Sequence, residues 1–323
     1  QALQLLLDKS GIDVVELEAV MIGTTHFTNA VIERRHLQPT ACVRLGLPAT
    51  VELPPMVDWP DDLRNIVGDK HYLAHGGNEF DGRPISTFDP REIEKIAEDI
   101  KAKGIRSVAV SAVFSLVNDH DEKEAAKIIQ RIIPDATLTE SHVFGKIGLL
   151  ERENAAILNA CLNDLAARTM RGFKQAITQL NIDASLFISQ NDGALMNADF
   201  AMKYPVLTFS SGPTNSMRGA AFLSNLQDAI VVDVGGTTTD IGVLQHGFPR
   251  NSALVAEVGE VRTSFRMPDT ISIGLGGGSI VDLDKLTVGP QSVGYRITDE
   301  AFIFGGEVLT STDVIVAAGD VAI

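Results

Sequence analysis

The chain has 323 residues, 45% hydrophobic and 21% charged, a balance that suits a folded globular protein of two ordinary-sized domains better than one small core. Its formal charge of −15 argues against a nucleic-acid binder, which needs a basic face, but leaves room for a local basic pocket around a phosphate. Cys42 and Cys161 stand far apart, in neither a disulfide framework nor a zinc spacing, which suits a reducing cytoplasm, and no apolar run reaches the ~18 residues a membrane span requires.

The opening Gln1-Ala2-Leu3-Gln4 lacks the basic start of a signal peptide and an initiator Met, so the amino terminus is expected further upstream. Residues 18–22 read as a strand, followed by Gly23-Thr24-Thr25 and a helix over 27–35. Residues 41–45 read as the next strand. From 47 to 84 the Pro, Gly and Asp content rises and periodicity fades, which predicts irregular chain with one short strand at 72–74. Asp89-Pro90 supplies an N-cap and a first-turn proline for a helix that runs to about 103 and stops at Gly104. The apolar run 105–114 has the composition of a buried parallel strand. A helix over 119–133 follows, closed by Pro134. Strands and helices alternating at this spacing predict right-handed βαβ units and an α/β sheet.

Residues 148–180 form a long Ala- and Leu-rich helix, with Ile157, Cys161 and Leu165 spaced four apart on a face that must pack on a sheet or bridge two domains. Glu151 and Arg152, near its start, read as an ordinary surface ion pair. A short strand at 186–189 follows, and Ser211-Gly212-Pro213 opens a helix through about 226.

The most informative segment is Asp233-Val-Gly235-Gly236-Thr237-Thr238-Thr239-Asp240, set between two apolar strands. Gly235 and Gly236 have no side chains, so a phosphate can approach their backbone N–H groups. The hydroxyls of Thr237 and Thr238 can donate to phosphate oxygens. Asp233 and Asp240 lie on opposite sides of the turn, where both can face one magnesium ion or its waters. A bare Asp-x-Gly-Gly reads better as a plain glycine hairpin with polar turn residues; two Asp and three Thr between apolar strands favour a Mg-ATP phosphate site. No P-loop is present. A second cluster, Gly274-Leu275-Gly276-Gly277-Gly278-Ser279, fails the dinucleotide pattern at Ser279. It reads either as a glycine turn or as a nucleotide contact.

Thr24, Thr25 and His26 follow a strand, where open α/β sheets place ligands. They line a substrate cleft, or Thr25 is a helix N-cap beside a solvent-facing His26. His71 and His75, four apart, could share a helix face for a metal, but Gly76-Gly77 makes a helix doubtful and the zincin Glu is missing. Ser211 needs no role beyond a helix N-cap, since Gly-x-Ser-x-Gly does not occur.

The hairpin resembles the second phosphate motif, and the 274–279 cluster the adenosine motif, of the actin-like ATPase superfamily. Further stretches narrow the resemblance to the hydantoinase A/oxoprolinase family: Gly23-Thr24-Thr25 with Thr28-Asn29-Ala30 and Glu33-Arg34, Glu151-Arg152 with Asn159-Ala160, Ser211-Gly212-Pro213, and Val288-Gly289-Pro290-Gln291-Ser292. They run in the family's order across nearly the whole chain. The resemblance implies an α/β, actin-like (ribonuclease H-like), two-lobed ATPase fold, with an N-terminal-type region over 1–145 and an ATP-binding domain over 146–323. It implies ATP-driven opening of a cyclic amide such as a hydantoin or 5-oxoproline, through phosphorylation of the ring carbonyl, with ATP and magnesium as cofactors. Asp233 and Asp240 would organise magnesium through its waters, one acting as general base, while Gly235, Gly236, Thr237 and Thr238 hold phosphates and Gly276, Gly277 and Gly278 touch the nucleotide. A second enzyme subunit is the expected partner, with no nucleic acid or membrane. The family's first Asp-x-Gly-Gly-Thr-x-Thr-Asp motif would lie upstream of residue 1, and the Cys- and Gly-rich segment of longer members does not occur here, which points to a short subgroup. The alternatives are the ATP-using subunit of a ketone carboxylase and a non-catalytic actin-like assembly module.

Overall fold

The computed structural model describes residues 2–144, 146–252, 256–265 and 267–320. The chain divides into two compact units, one of residues 1–211 and 253–267, the other of residues 212–252 and 268–323.

In the first unit α1 (Ala2–Ser10), β1 (Ala19–Ile22) and α2 (His26–Ile32) lead into β2 (Thr40–Leu47), α3 (Asp61–Val67), β3 (Lys70–His75), α4 (Pro90–Ala102), β4 (Ser107–Ala112), α5 (His120–Ile132) and β5 (Thr137–Glu140). The four strands from β2 to β5 form one parallel sheet in the order β3-β2-β4-β5. Both faces of this sheet are covered, which is why its central strands are apolar along their length. Ala41, Val43 and Leu45 of β2 face α4 and α5 through Ile93, Ala97, Ile100 and Ile129. Cys42 and Ala109, on the other face, join Ala156 and Ala160 of α6 (Leu149–Gln179). Beyond α6, β6 (Ser185–Ser189) pairs parallel with β1 and antiparallel with β7 (Leu195–Asn197), and α7 (Ala198–Lys203) follows.

The start of α4 behaves as its sequence predicts: the Asp89 carboxylate accepts from the Arg91 amide at 2.9 Å, and Pro90 occupies the first turn. The stretch expected to be irregular contains α3 and a six-residue β3. At seven residues, α3 is too short to display helical periodicity, yet Leu63 and Val67 bury one face of it.

Helix α6 corrects a second expectation. Every residue from Arg152 to Asn163 is buried, so this stretch has no outward face on which a surface ion pair could sit. Arg152 turns inward and donates from Nη1 to the carbonyls of Ile147 (2.9 Å) and Gly148 (3.3 Å), from Nη2 to that of Ala112 (2.6 Å) and from Nε to Ser141 Oγ (3.1 Å). Burial lowers its pKa, an effect opposed by the charges of Glu122 and Glu153. Glu153 pairs with Arg44 of β2, Nε to Oε2 at 2.7 Å, and both side chains have 0% exposure. Burial alone would lower the Arg44 pKa; the hydrogen bond and charge of Glu153 carry it above its ordinary value.

The second unit continues α8 (Ser211–Ser224) into β8 (Ala229–Val234), β9 (Thr239–Gln245) and β10 (Phe248–Pro249). The chain then contributes the hairpin β11 (Ala256–Val258) and β12 (Val261–Thr263) to the first unit. It returns through β13 (Thr270–Ile273), β14 (Ser279–Asp282), β15 (Thr287–Ser292), α9 (Ile297–Glu300) and α10 (Ser311–Ala318). Strand β9 is central, with antiparallel β8 on one side and β13 and β10 also antiparallel to it. Met217 and Ala221 of α8 pack on Ala229, Val231 and Leu244. At Gly242 a β-carbon would lie 2.6 Å from the Met217 sulfur, so the Met217 side chain lies directly over this glycine. The opposite sheet face presents Ile230, Val232, Val234 and Ile271 to solvent. Helix α10 starts from a capping box between Thr310 and Asp313. No helix among the described residues is long and apolar enough to cross a membrane.

Candidate functional site

Strands β8 and β9 run into the turn as a register-matched hairpin, with Asp233 directly opposite Asp240 and Val234 opposite Thr239. Side chains alternate across a strand, so Asp233 shares a face with Ala229 and Val231, and Asp240 with Gly242 and Leu244. The apolar members of that face pack with α8, while the two carboxylates stand at its turn end, half-buried. Directly paired positions bring β-carbons to about 4.5–5.5 Å, and like charges there repel. Ser272, opposite Asp240 on β13, donates its hydroxyl to Asp240 Oδ1. Among the described residues Asp233 has no hydrogen-bond or ion-pair partner. Two converging carboxylates with so little neutralisation match what magnesium takes from a protein when most of its ligands are water and phosphate. Among the described residues no cluster of three or more His, Cys, Asp or Glu is placed to hold a metal by itself.

The turn closes by a bond from the Gly235 amide to the Thr238 carbonyl at 2.8 Å, and Gly235, Gly236, Thr237 and Thr238 are exposed. Among the described residues the amides of Gly236, Thr237 and Thr238 have no partner. The second glycine cluster packs onto the back of this turn. The amide of Gly277 donates to the Gly235 carbonyl (2.9 Å) and that of Gly278 to the Gly236 carbonyl (2.7 Å). The Gly276 amide donates to Ser279 Oγ at 2.9 Å. All three amides are therefore engaged within the protein. At Gly276 a β-carbon would sit 2.6 Å from the Gly235 oxygen, which is why the position is glycine.

The sequence reading missed the hydroxyls that hold this arrangement. Ser292 Oγ donates to the Gly236 carbonyl (3.3 Å) and lies 3.5 Å from Thr237 Oγ1. Ser311 and Thr312 donate to the Gly277 carbonyl at 2.9 and 2.8 Å, fixing the cluster to the start of α10. The signal for Ser292 was its place in the Val-Gly-Pro-Gln-Ser run; Ser272 and Ser311 are isolated serines whose roles only the fold reveals.

Thr24, Thr25 and His26 lie at the carboxyl end of β1. Thr24 is buried and its hydroxyl accepts from the His26 amide at 3.2 Å. Thr25 is the N-cap of α2 without a side-chain cap bond, and Thr25 and His26 are both exposed. Ser211 is buried and donates to the Thr24 carbonyl at 3.3 Å. His71 and His75 stand on β3 rather than on a helix, and each faces a carboxylate, Asp69 at 3.4 Å and Glu92 at 3.1 Å.

Residues 1–133 match the hydantoinase/oxoprolinase N-terminal region, and residues 152–322 match hydantoinase/oxoprolinase itself. The acetophenone carboxylase gamma subunit of Aromatoleum aromaticum is 27% identical over 267 residues, 79% of this chain and 36% of that protein. The caprolactamase subunit alpha of Pseudomonas jessenii is 27% identical over 270 residues, 81% of this chain and 38% of that protein. The crystal structure of the ATP-dependent caprolactamase from the same organism superposes with a TM-score of 0.75 at 24% identity, over 100% of this chain and 49% of that one. The fold is thus the α/β, actin-like ATPase fold expected from the sequence. The chain spans less than half the length of these relatives. With its two signature regions matched in order along most of its length, the chain belongs to the hydantoinase/oxoprolinase family.

Proposed function

We propose that this chain is the ATP-using part of an enzyme that opens a cyclic amide such as a lactam or hydantoin. The observation that carries the reading is the exposed 235–238 turn, whose Gly236 to Thr238 amides have no partner among the described residues, held between two facing carboxylates and braced by the second glycine cluster. Amides in such a turn form an anion-binding concavity, and the hydroxyls of Thr237 and Thr238 add donors at its rim. Asp233 and Asp240 hold magnesium through its waters. That ion supplies charge neutralisation at the terminal phosphates.

A ring amide is a poor electrophile. Transfer of the terminal phosphoryl group of ATP to the carbonyl oxygen releases ADP and leaves a phosphorylated imidate. Water then adds at that carbon, the carbon–nitrogen bond breaks to free the amine and leave an acyl phosphate, and a second water hydrolyses this to the carboxylate and inorganic phosphate. Preorganised donors at the turn carry most of the rate gain. Of the two carboxylates, Asp240 is oriented by Ser272, and Asp233 is the freer to take a proton from water. A partner subunit completes the enzyme, in keeping with the relatives, which are named as subunits.

Similarity to an acetophenone carboxylase subunit supports a second reading, in which ATP activates a ketone or bicarbonate for carboxylation. One experiment separates the two. The protein with its partner subunit is supplied with ATP and either a lactam or hydantoin, or a ketone with bicarbonate, and phosphate release is measured. Release that depends on the ring amide supports the first reading; release that needs ketone and bicarbonate sinks it.

A further inference from the structure

At the carboxyl end of β6 the chain continues as Gln190-Asn191-Asp192, and this segment forms one wall of a cavity of about 310 Å³ inside the first unit. Parallel α/β sheets place ligands beyond the carboxyl ends of their strands, and β6 runs parallel to β1. The facing wall is aromatic. Phe144 and Phe265 meet edge to face with centroids 6.2 Å apart. Tyr204 braces Phe144 at 5.8 Å and Phe209 braces Phe265 at 5.6 Å, so the wall is rigid. Ser264 also lines the cavity. It is 5% exposed, and among the described residues its buried hydroxyl has no hydrogen-bond partner. Leaving a buried hydroxyl unpaired is destabilising, and a ligand oxygen that accepts from it would relieve that penalty. Asp192 accepts from the Ala194 amide through Oδ1 at 2.9 Å, leaving its other oxygen for a ligand N–H. Among the described residues that line the cavity there is no Lys, Arg or His.

These features select a small molecule with an apolar ring edge, one carbonyl and one N–H, and they oppose a negative charge. The volume lies at the lower end of the range for ligand sites, about 300–1,000 Å³, which suits a ring of five to seven atoms. We infer that this cavity binds the ring of a neutral cyclic amide, with Ser264 donating to its carbonyl and Asp192 accepting from its N–H and turning away rings that carry a carboxylate. The inference rests on the cyclic-amide reading above and adds which kind of ring is accepted.

Two compounds that differ only in a carboxylate make the test: 2-pyrrolidinone and 5-oxoproline. Binding of each to the purified chain, without nucleotide, is followed by saturation-transfer NMR and titration calorimetry. 2-Pyrrolidinone should bind, and 5-oxoproline at least about tenfold more weakly. Ser264→Ala should weaken 2-pyrrolidinone about 5–10-fold, and Asp192→Asn should close the gap by admitting 5-oxoproline. Equal binding of the two compounds, no binding of 2-pyrrolidinone by chain shown folded by circular dichroism, or indifference to Ser264→Ala would overturn the assignment. Lactam-stimulated phosphate release that Ser264→Ala leaves intact would sink the cavity and spare the enzyme reading. Lactam binding that Ser264→Ala abolishes, in a protein whose ATP turnover ignores lactams, would uphold the cavity and sink the enzyme reading.

Discussion

Replacing Gly276 by Ala tests the contact that holds the candidate phosphate turn. A β-carbon there would meet the Gly235 oxygen at 2.6 Å and the Gly236 carbon and Thr237 nitrogen at 2.7 Å. Ordinary contact begins at 3.4 Å, so the turn must retreat by about 0.8 Å. The atoms on both sides are main chain, so no side chain can rotate out of the way. Overpacking of this kind costs about 1–3 kcal/mol. Binding groups must also hold position to within about 0.5 Å, so nucleotide affinity should fall by more than the stability loss explains, about tenfold or beyond. The assay pairs urea unfolding with titration of a fluorescent ATP analogue in magnesium buffer. Gly219→Ala, in α8 with nothing within 4 Å of the added carbon, is the control and should stabilise the chain by about 0.5–1 kcal/mol. A Gly276→Ala protein with native urea midpoint and native affinity would refute the reasoning.

Asp233→Asn should lower ring-amide-stimulated phosphate release at least about a hundredfold. In metal-free buffer its melting midpoint should hold or rise, since a like-charge cross-strand pair is relieved; a lower midpoint there contradicts the geometry. Glu153→Ala leaves the Arg44 guanidinium buried without its carboxylate and should cost about 3–5 kcal/mol in urea unfolding; an unchanged midpoint would show the pair to be dispensable. The hydrogen bond that His142 makes to the Glu122 carboxylate, against an opposing burial effect and with the charges of Glu122, Glu140 and Asp119, raises the His142 pKa above its ordinary value. A raised folded value means this contribution is full below the unfolded pKa and disappears as pH rises through the folded one. The midpoint gap between the native chain and His142→Gln should therefore narrow as the pH rises above about 6.5, and a gap that widens would reverse the assignment. Burial pushes the Cys42 thiol up and the Cys161 thiol up to about 12. Neither should react with an aromatic disulfide reagent at pH 8 until urea is added, and prompt labelling of folded chain would disprove the burial.

The parts of the fold written in continuous patterns were legible. The apolar run before Phe114 became β4 because both faces of its sheet are covered, and the Asp89-Pro90 start became α4 because capping is local chemistry. The hairpin register followed from apolar strands on both sides of a glycine pair. What failed depended on surroundings. Arg152 looked like a surface charge, yet the run from Ala155 to Leu162 is apolar on nearly every side apart from Asn159, and a helix of that kind is buried all round. That pattern was available and should have turned the reading inward. The 274–279 cluster was recognised as glycine-rich, but only the structure shows its amides bonded to the 235–236 carbonyls. Ser264 and Phe265 carried no signal at all, since their partners lie more than fifty positions away in sequence.

The hairpin of β11 and β12 has a consequence for synthesis. Val258, Val261 and Phe265 belong to the same core as Phe144 and Phe209, Asn154 Nδ2 donates to the Arg262 carbonyl at 3.0 Å, and Arg262 pairs with Asp58 at 2.7 Å. A ribosome that has released residue 211 has not yet made this plug. At about 5–20 residues per second, residues 212–267 take roughly 3–11 s more. During that interval the nascent first unit carries an open aromatic seam, and chaperones that recognise such seams have a fixed window in which to act.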